Sequence, residues 1–171
     1  MKMIAEFLLA AIACLGTMTA GLAIYFRYQG DSDILFDTQA ARNYRVFKNV
    51  LQRTIHCQCL IPLINRGRQN GMVINVFCQP MYYGKIMEQL EIASHLRLLD
   101  APLRRNNYWE AVIVKKKSTQ LTELTVTIRP QADIRTVVRE IPRLKVIIYY
   151  QMVGRDGIQW RLAEVQFDLA G

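Results

Sequence analysis

Seven residues have a type and spacing that bear on chemistry: Cys14, Cys57, Cys59, Cys78, His56, His95 and Glu6. Cys57 and Cys59 flank a single glutamine, and Cys78 follows beyond the turn-rich stretch NRGRQNG. In a hairpin centred near residue 68, either Cys57 or Cys59 falls roughly opposite Cys78, and an oxidising compartment permits one bridge there. The same three residues read equally well as small buried thiols. Structural zinc favours cysteines with two to four residues between them, and Cys57-Gln58-Cys59 beside His56 has only one. There is no phosphate-cradling glycine loop, no nucleophile elbow and no pair of carboxylates in an apolar loop. The expectation is a chain that is not an enzyme and holds neither cofactor nor metal.

Glu6 sits inside a long apolar run. Ile4 to Phe26 reads IAEFLLAAIACLGTMTAGLAIYF, and Glu6 is its single ionisable side chain. As a helix this segment spans roughly 35 Å, enough for a bilayer core. Tyr25, Arg27 and Tyr28 form an interfacial flank. Two rival readings are a cleaved signal peptide, with Lys2 as charged start and Thr19-Ala20-Gly21 as cleavage site, and a lipoprotein signal at Cys14. The apolar run continues past Gly21 to Phe26, which favours a retained span. A carboxylate costs on the order of 2.5–3.5 kcal/mol at the bilayer centre. Glu6 therefore either lies near the surface or pairs with a cation. Gly16 and Gly21 permit close approach of a second helix.

The remaining 140 or so residues suit one domain. The chain has 171 residues, 51% of them hydrophobic, and a net charge of +8. Its basic residues are scattered, the densest runs being Lys115-Lys116-Lys117 and Arg104-Arg105. No basic stripe interleaved with aromatics is present, so nucleic acid is not an expected partner.

Periodicity predicts an amphipathic helix after a break at Gly30-Asp31: Ala40, Tyr44, Phe47, Leu51 and Ile55 recur at steps of three and four. Beyond Cys57 the pattern alternates. Leu60–Ile64 with Met72–Cys78 read as one hairpin, Tyr108–Lys115 with Leu121–Arg129 as a second, and Leu144–Val153 with Ile158–Leu169 as a third. Residues 83–99 suit helix or strand, and Ile134–Ile141 a short helix or loop. The predicted fold class is α+β, with a membrane helix (1–29), an amphipathic helix (30–56) and a mainly antiparallel β-rich head (57–171).

This layout resembles the minor pseudopilins of type II secretion, type IV pilus and competence systems. MIAEFLLAAIACLG is similar to the pilin-type N-terminus, with Glu6 as its acidic residue, fifth from Lys2 and without a preceding glycine. FDTQAARNYRVFKNVLQRTI resembles the second half of the long helix, and YWEAVIVKKKSTQLTELTVTIRP a hairpin of the J-type and competence-type members. The closing REIPRLKVIIYYQMVGRDGIQWRLAEVQFDLAG resembles their last strands. The resemblance implies a pilin-like head outside the cytoplasm, assembly through Glu6, Gly16 and Gly21, and partners that are other pilin-like or envelope-complex subunits, with membrane lipid around the span.

Overall fold

The computed structural model describes residues 2–81, 89–100, 109, 111–131 and 133–170. A helix, α1 (Lys2–Gln29), precedes strands β1 (Ile34–Phe36), β2 (Arg42–Asn49), β3 (Thr54–Asn65), β4 (Gly71–Met81), β5 (Leu90–Leu98), β6 (Val112–Val114) and β7 (Thr119–Pro130). A short helix α2 (Ile134–Glu140) leads to β8 (Arg143–Gly154) and β9 (Gly157–Asp168). The helix α1 is long and apolar enough to cross a membrane, and none of its described residues is buried.

The strands form two antiparallel sheets. In one, β3 pairs with β7 and β7 with β5, while β1 and β2 share the other side of β3. In the second the order is β6-β4-β8-β9. Alternation decides which side chains meet between them. Ile55, Cys57, Cys59, Ile61 and Leu63 of β3 face Leu144, Val146, Ile148, Tyr150 and Met152 of β8 within one buried core. Phe36 lies edge-on to both Tyr150 and Trp109, at centroid distances of 4.9 and 6.1 Å. Asp133 caps α2 through its side chain, which accepts from the Arg135 N–H.

The amphipathic helix expected over 30–56 is replaced by β1, β2 and the start of β3. Its stripe residues Tyr44, Phe47 and Leu51 are exposed, Leu51 to 97%. The reason is the open flank of β3. β1 covers only Leu63 to Asn65, and β2 satisfies the backbone from Thr54 to Leu60. Asn49 closes the turn by accepting from Gln52 N–H at 3.0 Å. This tertiary demand outweighs a weak local preference.

Two of the expected hairpins are instead crossings between sheets. β3 and β4 lie in different sheets, as do β6 and β7. The third is a hairpin, pairing Arg143↔Asp168 through Gly154↔Gly157 around Arg155-Asp156, with Gly157 at φ +103°. Within the ambiguous stretch, Leu90–Leu98 is a strand, and residues 83–88 lie outside the described residues. So does Tyr108, the start of the second expected hairpin.

The helix–domain junction and candidate interaction surfaces

The end of α1 is held by the domain. Gly30, at φ +68°, turns the chain out of the helix and donates its N–H to the Phe26 carbonyl. Two arginines from separate turns meet the helix's last carbonyls. Arg155 donates to the Phe26 carbonyl at 3.1 Å and lies over the Phe26 ring. Arg68 donates to the Tyr28 carbonyl at 2.9 Å and lies over the Tyr28 ring. Cations suit this position because unpaired carbonyls give a helix C-terminus partial negative charge.

The link from helix to β1 runs through a slot of three glycines. A Cβ on Gly67 would stand 2.3 Å from the Asp31 carbonyl oxygen and 2.4 Å from the Asp33 nitrogen. One on Gly71 would meet Ser32 Cβ at 2.5 Å, and one on Gly154 would meet Ser32 Oγ at 2.8 Å. Asp31 fastens the slot to the β8–β9 turn: its carboxylate accepts from the backbone N–H groups of Ser32 (2.7 Å), Arg155 (2.9 Å) and Asp156 (3.2 Å). Burial works to raise the Asp31 pKa, but these three donors and the Arg155 charge outweigh it and hold it below its ordinary value. Asp33 pairs with Arg161 of β9 at 2.7 Å. Asn65, fully buried, accepts from Asp33 and Gly67 N–H and donates to the Gln69 and Val114 carbonyls. It ties the linker to both crossings.

On the outer face of the second sheet, Phe77 stacks on Tyr149 at 5.0 Å and meets the Trp160 ring edge-on at 6.0 Å. Phe77, Trp160, Leu162 and Ile158 are about half exposed or more. The rim is polar: Asn75 donates to Gln151, and Lys145 pairs with Glu164. At the far pole, a groove of about 540 Å³ runs between Val50, Ile134, Val138 and Pro142, with Arg135 and Arg139 at its edge.

The residues singled out in the sequence are distributed differently. Glu6, Gly16 and Gly21 are exposed on α1, and a Cβ on either glycine would meet nothing within 4 Å. Cys57 and Cys59 are free thiols buried in the core on β3, and Cys78, a partly buried free thiol on β4, packs against that core. β3 and β4 belong to different sheets, so Cys78 faces Cys57 and Cys59 across the sandwich and not across a hairpin. Burial pushes all three thiols up to about 12. His56 shares a hydrogen bond with Thr127. Among the described residues, no three His, Cys, Asp or Glu side chains converge on a metal position. The glycine slot and the aromatic face escaped the sequence reading. The one available signal for the aromatic face was β9, where Ile158, Trp160 and Leu162 place apolar groups on the face opposite Ala163, Val165 and Phe167.

Residues 48–169 match the family described as F420-0:gamma-glutamyl ligase, N-terminal Ig-like domain. The chain belongs to this family. The match corrects the expectation that the chain is not an enzyme, since the family is named for a domain of one, F420-0:gamma-glutamyl ligase. The pilin-type resemblance has no counterpart in this match, and its long-helix segment is strand in the structure. No curated protein matches the chain. Among solved structures, the putative ApaA protein from Bordetella pertussis is similar at 14% identity and TM-score 0.42, covering 80% of this chain and 94% of that one. A FixG-related protein from Vibrio parahaemolyticus is similar at 9% identity and TM-score 0.39, covering 75% and 94%. The GAE domain of GGA2p from Saccharomyces cerevisiae is similar at 9% identity and TM-score 0.35, covering 80% and 96%.

Proposed function

We propose that this Ig-like protein is a membrane-anchored interaction module: α1 crosses the bilayer, and the domain docks a partner subunit of a membrane complex on the outer face of β4, β8 and β9. The observation that carries the reading is the Phe77–Tyr149–Trp160 cluster, exposed on a domain whose strands already bury a complete core. Apolar patches rimmed by polar groups mark interaction sites, and Trp and Tyr dominate binding energy where they occur. A polar rim with an ion pair suits a protein surface better than lipid. Family membership makes a glutamyl-ligase-type enzyme the first partner to test. The pilin-type resemblance makes the alternative a set of pilin-like subunits, assembled through Glu6 within the membrane.

The test is photo-crosslinking in cells from a reactive residue at position 162 of the full-length chain. The expected result is a discrete adduct that disappears in Phe77→Ala/Trp160→Ala, while the variant resists alkaline extraction as wild type does. An adduct unchanged by the double substitution refutes the assignment of this face. Loss of the adduct in Glu6→Ala alone would move the interface into the membrane.

A further inference from the structure

The pole of the sandwich that holds α1 is also its most ordered concentration of cations. Three turns meet there: Arg66 to Asn70 between β3 and β4, Lys115 to Ser118 between β6 and β7, and Arg155-Asp156 between β8 and β9. They are tied to one another and to the linker. Lys116 N–H donates to Asn70 Oδ1 at 2.9 Å, Asn65 N–H to the Ser118 carbonyl at 3.0 Å, and Arg68 N–H to the Asp31 carbonyl at 3.0 Å. Lys115, Lys116, Lys117, Arg66 and Arg68 are exposed, and Arg27 joins them from the last turn of the helix.

The acids of this pole are largely engaged. Asp31 is taken up by backbone N–H groups, Asp33 by Arg161 and Asp37 by Arg66. Asp156 remains. Lys117 Nζ donates to the Arg66 carbonyl. No partner within the described chain meets the Lys115 and Lys116 amines. Arg155 and Arg68 grip carbonyls at Phe26 and Tyr28, so this pole lies at the level where the apolar helix ends. With α1 in a bilayer, the three turns stand among the headgroups.

We infer that this pole, with the Lys115–Lys117 turn at its centre, binds the phosphate groups of anionic lipids in the membrane that α1 crosses. The inference rests on the reading of α1 as a retained span. The shape supports lipid as the source: the cations surround a helix end and are spread over turns, where phosphates in a plane can meet them. No enclosed cradle of donors is present among these described residues for one soluble phosphate. Each Lys or Arg near such a surface contributes about one fivefold factor in lipid preference, screened within a Debye length.

The test uses the full-length chain in nanodiscs of equal phosphatidylcholine and phosphatidylglycerol, with lipids retained by the protein counted by native mass spectrometry. Wild type is expected to retain phosphatidylglycerol over phosphatidylcholine by about tenfold or more. Lys115→Gln/Lys116→Gln/Lys117→Gln is expected to lose most of that preference, and molar salt to lose it in wild type. Lys116→Gln alone, which removes an amine with no contact among the described residues, gives a smaller loss in the same direction without disturbing the fold. Equal retention of the two lipids by wild type overturns the inference, as does a triple variant that keeps the wild-type preference. Displacement of phosphatidylglycerol by millimolar glycerol phosphate also overturns it, since a soluble phosphate would then be the ligand. Alkaline extraction of the same protein separates the two readings: a chain released by carbonate fails as a membrane span, whereas one that resists extraction but shows no lipid preference fails only here.

Discussion

Gly67→Ala isolates the glycine slot as a steric device. Gly67 does not have positive φ, so alanine fits its backbone conformation and the whole cost falls on its surroundings. The added methyl would stand 2.3 Å from the Asp31 oxygen, 2.4 Å from the Asp33 nitrogen and 2.6 Å from Ser32 Cα, all backbone atoms. Normal contact needs about 3.5 Å, so the linker must retreat by roughly 1 Å. That retreat strains the bonds from Arg66 N–H to the Asp33 carbonyl (2.8 Å) and from Arg68 N–H to the Asp31 carbonyl (3.0 Å). Overpacking costs about 1–3 kcal/mol, and each weakened bond adds about 0.5–1.5 kcal/mol. Reduced freedom in the unfolded chain returns about 0.4–1 kcal/mol. The expected net loss is about 1–6 kcal/mol. Urea unfolding of the full-length chain in detergent micelles measures it. Trp109 is buried at 5% exposure, and Trp160→Phe removes the exposed reporter. Protease cutting between residues 28 and 33 should rise in parallel. A Gly67→Ala protein within about 0.5 kcal/mol of wild type, with no new cutting, would refute the slot.

Asn65→Asp keeps the shape but replaces two donated hydrogen bonds with a carboxylate facing the Gln69 and Val114 carbonyls. It should cost at least about 3 kcal/mol by the same unfolding assay, less as pH falls and the carboxyl gains a proton. Asp31 should give the domain an acid-sensitive component of stability. Because its folded pKa is depressed, the contribution is full above the ordinary carboxylate value and is lost as pH falls through the folded value. Unfolding titrations across that acidic range should lose this component in Asp31→Asn. The thiols of Cys57, Cys59 and Cys78, pushed up to about 12 by burial, should resist aqueous maleimide near pH 8 until urea unfolds the domain. Rapid labelling of any of the three in the native protein would contradict the core placement.

Local signals in the sequence carried part of this structure. The apolar run from Ile4 marked α1 because helix length and hydropathy are properties of consecutive residues. Gly154-Arg155-Asp156-Gly157 marked the β8–β9 turn for the same reason, and its flanking alternation set the register. Asn70-Gly71 marked a chain reversal correctly, yet a turn signal does not say whether the next strand joins the same sheet or the facing one. Residues 42–49 misled because β2 is exposed along most of its length, so no buried face imposed a period of two. The junction was illegible for a different reason. Gly67, Gly71 and Gly154 act together only once folding brings them around Ser32, and glycine spacing along the chain carries no record of that. The aromatic face likewise arises only when β4, distant in sequence, pairs beside the β8–β9 hairpin.

The slot also orders events in the life of the chain. Asp31 lies beside a helix synthesised before the domain, but its carboxylate also accepts from Arg155 and Asp156, more than 120 residues later. Gly154 and Arg161 belong to the same late hairpin. Until β8 and β9 have been synthesised, the bonds from Arg155, Asp156 and Arg161 to the helix end and linker cannot form. Synthesis of β8 and β9 fixes the bearing of the domain on α1; with α1 as the proposed membrane span, a chain lacking that hairpin would be inserted but unoriented. Under that proposal, orientation at the membrane reports the pairing of β8 with β9.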